Sequence, residues 1–268
     1  MLGKLFKHEW KRLWKVPTFL LILLQIIALG AGLAFLGPVF ESDIRGIRVL
    51  IGLIWVTYFI MVIGVTFGVY IYLAIQFYKS TYSDEGYLTH TLPVSPRQIL
   101  ISKISMIAIW ECITFIGILL SFVIFGLTAY TCLGEDWADL GYLFKEFLRE
   151  LQTAFGYEGE EWVPTILALF ISAIVSIIYT GVWISASTAI GQLVKKHRIA
   201  ASIAAACIIS FILSSIQNIL QEPQQLMYTN MVDFMMDGIW ASILLYTIAV
   251  VVLFIISEYL LRHKLNLE

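Results

Sequence analysis

Charge is scarce in this chain. Of 268 residues, only 13% are Asp, Glu, Lys or Arg and 60% are apolar, whereas a soluble domain carries about 25% charged residues. In water a chain of this length would expose much apolar surface, so lipid is the solvent that fits. The net charge of −2 supplies no basic field for nucleic acid. Cysteine is equally sparse. Cys112, Cys132 and Cys207 are far apart and outside any CxxC or Cys/His cluster; an odd number excludes a complete disulfide framework, and they read as small apolar packing residues. The four histidines form no H-E-x-x-H, and no G-x-x-x-x-G-K-[ST] is present, which removes zincin chemistry and P-loop nucleotide binding. Gly30-Ala31-Gly32 looks like the start of a dinucleotide fingerprint, but it lies inside an apolar helix with no strand before it. Glu160-Glu161 resembles the paired glutamates of some intramembrane proteases, yet Thr165 stands where the arginine of that pattern belongs. The sequence therefore offers no catalytic constellation, no metal site and no directly bound cofactor, and the expectation is a protein that is not an enzyme.

What is present is long apolar runs. A spanning helix needs about 20 mostly apolar residues. Six stretches qualify, Val16–Phe40, Val49–Phe77, Ile104–Tyr130, Val163–Val194, Ile199–Leu220 and Ile239–Leu261. The expected fold is all-α, a single polytopic transmembrane domain over 1–268. The second and fourth runs exceed what a roughly 30 Å core requires at 1.5 Å per residue, so they should tilt or project beyond it. The first run is too long for a signal-peptide apolar region and follows 15 polar-rich residues, so an uncleaved anchor is expected.

Orientation follows the basic residues of the short loops. With the N-terminus in the cytosol, 13 Lys and Arg fall on the cytosolic side and four, Arg45, Arg48, Lys145 and Arg149, on the other. Both termini are therefore expected in the cytosol. The acids Glu135, Asp136, Asp139, Glu146, Glu150, Glu158, Glu160 and Glu161 cluster between runs three and four, over 131–162 on the external side.

Three segments outside the runs carry further patterning. In 1–15, Leu2, Leu5, Phe6, Trp10, Leu13 and Trp14 recur at helical spacing among Lys4, Lys7, His8, Lys11 and Arg12. This predicts a basic amphipathic helix in the inner membrane interface, the alternative being an unstructured basic leader. In Trp137–Phe155, apolar residues follow the i, i+3, i+4, i+7 pattern, predicting an external amphipathic helix. The loop Tyr78–Lys103 ends in Ser95-Pro96-Arg97-Gln98, a capping box with proline at the first helical position, and the helix begun there should run into the third span. Asp84–Thr91 can form a short helix with its acids favourably placed at the N-terminus.

One carboxylate, Glu111, lies about two turns inside the third apolar run. Burying it in lipid costs about 2.5 kcal/mol or more on insertion scales. It reads either as a contact for a cationic substrate or as a hydrogen-bonded packing residue. Gly64-x-x-x-Gly68 and the small residues Ser185, Ala189 and Ala200–Ala206 allow close helix approach, within the chain or across a dimer.

The string Asp84-Glu85-Gly86-Tyr87-Leu88-Thr89, then Leu92-Pro93-Val94-Ser95, then Ile99-Leu100-x-Ser102-Lys103, resembles the signature of the permease (transmembrane) subunits of bacterial type-2 ABC transporters. Six spans with a basic amphipathic helix before the first, and the string between spans two and three, are similar to that layout. The resemblance implies a coupling helix within 79–103, docking into a separate ABC ATPase subunit through Asp84, Glu85, Gly86, Tyr87, Leu88, Leu92 and Pro93, with ATP and Mg held by that partner. It implies a second permease copy or a related permease, a place in the bacterial plasma membrane, and export of a peptide, drug or other amphipathic cargo. The rival expectation is a non-transporting immunity or sensor subunit that binds a cationic peptide through its external acidic segment.

Overall fold

A computed structural model of the chain describes residues 2–36, 45–83, 86, 95–134, 141–142, 145–146, 149–150, 162–194, 196–225 and 231–263. Helices α1 (Leu2–Leu13) and α2 (Lys15–Leu33) are divided at Trp14 for a reason written in the sequence. Pro17 has no N–H to donate to the Leu13 carbonyl, so one helical bond is missing there. The backbone at Trp14 nevertheless stays helical, with φ −64° and ψ −31°. Its N–H donates to Trp10 O at 3.1 Å, and its carbonyl accepts from Thr18 at 3.2 Å.

Among the described residues five longer helices follow, α3 (Arg45–Tyr82), α4 (Pro96–Cys132), α5 (Trp162–Gly191), α6 (Arg198–Gln225) and α7 (Met231–His263). No strand occurs among the described residues. Six of the helices, α2 to α7, are long and apolar enough to cross a membrane, and the chain is a multi-pass membrane protein. The 38 residues of α3 span about 57 Å at 1.5 Å per residue, well beyond a hydrocarbon core of roughly 30 Å.

The helix ends differ from the hydropathy runs in instructive ways. The first run was expected to reach Phe40, but α2 ends at Leu33 and Ala34 and Phe35 form a turn. Hydropathy does not register a helix end when the residues past it remain apolar. The third run was expected from Ile104, and α4 begins at Pro96, as the capping box predicts. Within 137–155, Tyr142, Lys145, Glu146, Arg149 and Glu150 have helical backbone; the remainder of that expected helix, Gly141 apart, lies outside the described residues.

Several hydroxyls inside the spans are satisfied by their own helices. Thr57 donates to Leu53 O at 2.7 Å, Thr66 to Val62 O at 2.9 Å and Thr247 to Ile243 O at 2.6 Å. This back-bonding is the inexpensive way to carry a hydroxyl where lipid offers no partner.

The chain divides into two packed units. The first holds 1–6, 76–108 and 145–268, and the second holds 7–75 and 109–144. In the second, Tyr58 is fully buried. Its hydroxyl meets Ser121 Oγ at 3.2 Å, and its ring stacks on Phe125 with centroids 5.2 Å apart. Gln25 Nε2 donates to Gly117 O at 2.8 Å, tying α2 to α4. Trp10 stacks on Trp110, and Arg12 pairs with the buried Glu9 at 2.8 Å.

In the first unit, α5, α6 and α7 are joined by polar and aromatic contacts. Trp183 Nε1 donates to Ser210 Oγ at 3.1 Å. Gln217 Nε2 donates to Ser242 Oγ at 3.1 Å, and Gln217 Oε1 accepts from the Tyr246 hydroxyl at 3.1 Å. The Tyr246 ring lies 4.9 Å from that of Tyr179. At the α5–α6 corner, Gly191 packs directly on Ser202, where any Cβ would overlap the serine backbone and hydroxyl.

Candidate functional site

The segment singled out by the sequence joins the end of α3 to the start of α4, within the first unit. The last turn of α3 turns inward. Phe77, Ser80, Thr81 and Tyr82 are all buried. Ser83 Oγ bonds back to Lys79 O, and the Gly86 N–H donates to Ser83 O at 2.7 Å. That turn brings Gly86 so close to α3 that a Cβ there would lie 2.5 Å from the Thr81 carbonyl oxygen. Only glycine has the room, which gives this member of the motif a structural reason independent of any partner.

The start of α4 is set by a reciprocal cap. The Gln98 N–H donates to Ser95 Oγ at 3.3 Å, and the Ser95 N–H donates to Gln98 Oε1 at 3.1 Å. Pro96 occupies the first helical position, where a missing N–H has no consequence. Ile99, Leu100, Ser102 and Lys103 then follow, each buried.

Lys103 is the unexpected member. Read from sequence it is one of the cytosolic cations, at the end of the motif string where the capped helix runs into the third span, yet it is only 4% exposed. Its ammonium donates to Ser80 O at 3.3 Å and to Ser80 Oγ. The serine hydroxyl in turn donates to Phe77 O at 3.1 Å, which turns its lone pairs toward the lysine. Nearby in sequence, Thr81 Oγ1 and Ser102 Oγ are buried without a hydrogen-bond partner. Outside this core, Arg97 lies 4.0 Å from Glu258 of α7 and 6.0 Å from the centroid of the Phe254 ring. Glu258 also pairs with Arg262 at 2.7 Å.

Of the residues assigned to ATPase coupling, Gly86 is described; Asp84, Glu85, Tyr87, Leu88, Leu92 and Pro93 lie outside the described residues, as does most of the short helix expected over Asp84–Thr91. Glu111 is half-buried on α4 and belongs to the second unit. Because α4 begins at Pro96, it stands about four turns from the helix start and about two from Ile104. No group of three His, Cys, Asp or Glu that could hold a metal occurs among the described residues.

A cavity of about 370 Å³ in the second unit, between α2 and α3, is lined by Gly30, Leu33, Leu50, Ile51 and Ile54 with Ala34 and Ile47. Its lining offers no convergent polar groups, so it has the character of a lipid-facing groove rather than of a site for a polar ligand.

The sequence string contains Lys103 but assigns it no role of its own, and the available signal for one was its setting. The tract Ile99-Leu100-Ile101-Ser102-Lys103-Ile104 is apolar on both sides of the cation, which is unusual for a solvated loop lysine. No family model, curated protein or solved structure matches the chain.

Proposed function

We propose that the chain is the membrane-spanning permease subunit of an ABC transporter of the type-2 class, moving a peptide, drug or other amphipathic cargo out of a bacterial cell with ATP hydrolysed on a separate subunit. The observation that carries this reading is the segment between α3 and α4. It bears the string Asp84-Glu85-Gly86-Tyr87-Leu88, and both of its flanks are ordered by specific contacts, the Gly86 turn on one side and the Ser95–Gln98 cap on the other.

In this reading the segment faces the cytosol, as do both termini, and docks into the ATPase through Asp84, Glu85, Gly86, Tyr87, Leu88, Leu92 and Pro93. ATP and Mg are held by the partner, and the chain performs no chemistry of its own. When the ATPase closes on nucleotide, the segment is displaced, and the spans pass between inward- and outward-open states by rigid-body movement. A second copy, or a related permease, completes the pathway, and Glu111 is the candidate contact for a cationic group of the cargo.

The test is co-purification from native membrane of a P-loop ATPase with the chain, repeated with Glu85→Arg. The charge reversal should abolish both the association and transport-coupled ATP hydrolysis. A complex that survives with its coupled hydrolysis intact overturns the assignment.

A further inference from the structure

We propose that Lys103 is a positioning residue: a buried cation that fastens the end of α3 to the start of α4, so that the two helix ends flanking the coupling segment move as one piece. The proposal rests on the coupling assignment of 79–103, and its physical basis is independent of it.

A segment transmits a displacement only if its two ends cannot yield separately. Here α3 ends at Tyr82 and α4 begins at Pro96, and a flexible connection of that length would absorb a push by bending. Lys103 lies about two turns into α4. Its ammonium reaches across to Ser80 in the last turn of α3, meeting both carbonyl and hydroxyl.

Three features make this contact firm. The Ser80 carbonyl lies in the last turn of α3, where side-chain donors supplement or replace helical bonds. The C-terminal end of α3 carries the negative pole of the helix dipole, which favours a cation there. Finally, Lys103 is only 4% exposed and stands among Ile99, Leu100 and Ile104, all buried. Withdrawing the ammonium from Ser80 would break two charge-assisted hydrogen bonds in a buried setting, which costs more than parting neutral partners. The fastening therefore resists opening during movement.

The other tether of this region has the opposite character. Arg97 has a side chain 62% exposed and only approaches Glu258 at 4.0 Å, so solvent and salt screen the pair and it contributes little. Of these two contacts, Lys103–Ser80 is the one sheltered from solvent.

The test uses the full-length chain in lipid nanodiscs, with Cys112, Cys132 and Cys207 replaced by alanine and spin labels at Lys79→Cys and Ile101→Cys, both exposed positions. The parent should give a narrow label-to-label distance distribution. Lys103→Met should broaden it, and Lys103→Arg, which keeps the cation, should restore it. In the reconstituted complex with its ATPase, Lys103→Met should lower cargo moved per ATP by about tenfold, with partial recovery in Lys103→Arg.

An equally narrow distribution in folded Lys103→Met overturns the proposal. If that variant fails to accumulate, Lys103→Gln and Ser80→Ala report the same distance, and unchanged width in both overturns it as well. A different result marks failure of the coupling assignment alone: the distance depends on Lys103, yet no ATPase associates with the unsubstituted chain.

Discussion

The indole rings of Trp10 and Trp110 stack with centroids 5.0 Å apart and planes inclined by 20°. Trp110 is only 2% exposed. The tryptophan expected to anchor α1 among lipid headgroups thus has a protein partner, on the helix that begins at the Ser95 cap. Tyr72 adds a weaker bond from its hydroxyl to Arg12 O at 3.5 Å.

Trp110→Ala should therefore release α1. Stacked aromatic pairs contribute about 0.5–1.5 kcal/mol beyond the area they bury, and removal of a buried tryptophan costs about 3–5 kcal/mol in all. The expected outcomes are a lower unfolding midpoint in detergent and faster proteolysis within Leu2–Leu13. Trp110→Phe should retain most of the protection. Equal cleavage in wild type and Trp110→Ala would show that the stack does not hold the helix.

Ser95→Ala should cost about 1 kcal/mol, the usual value for loss of a helix cap. The effect should be local, read as faster amide exchange at Gln98, whose N–H donates to Ser95 Oγ, and less at Ile99, whose N–H donates to the Ser95 carbonyl that the substitution keeps. Gln98→Ala should cost less, because it frees only the Ser95 N–H. Exchange that accelerates across all of α4 instead would mean the box supports more than its own turn.

Gly191→Ala should destabilise by about 1–3 kcal/mol, the range for overpacking a tight contact. Its new Cβ would meet the Ser202 amide nitrogen at 2.6 Å and Cα at 2.7 Å. The obstruction is largely backbone, so Ser202→Gly should rescue only the part due to the hydroxyl. The check is a double-mutant comparison of thermal midpoints. Complete rescue would show that the corner yields more readily than its geometry implies.

Deletion of 137–155 separates the proposed exporter from a peptide-sensing membrane subunit. An exporter should keep nucleotide-driven movement of cargo that does not contact the acidic segment. A sensor should lose protection against cationic peptide altogether. Measuring both in one strain background distinguishes them.

The fold was legible wherever a physical requirement leaves a local trace. Six apolar runs announced six helices, and Ser95-Pro96-Arg97-Gln98 announced both the start of α4 and the reciprocal bonds that make it. Tertiary events were hidden. Lys103 looks like any basic residue near a membrane boundary until Ser80 is brought against it from 23 positions away. Gly64 and Gly68 read as one contact stripe, yet a Cβ at Gly68 would touch Leu20 at 3.7 Å while Gly64 faces open space. The Gly32 of the discarded nucleotide fingerprint instead packs on Thr128. Periodicity states which residues share a face; it does not state what that face will meet.

The link between Gln217, Ser242 and Tyr246 bears on how the molecule is made. A primary amide released alone among acyl chains would be left without partners, at a cost of several kcal/mol. The serine and tyrosine that relieve it are encoded 25 and 29 residues later, on α7. Synthesis therefore delivers the remedy only after α6 itself has been made, so α6 gains its full membrane compatibility when α7 leaves the insertion machinery beside it.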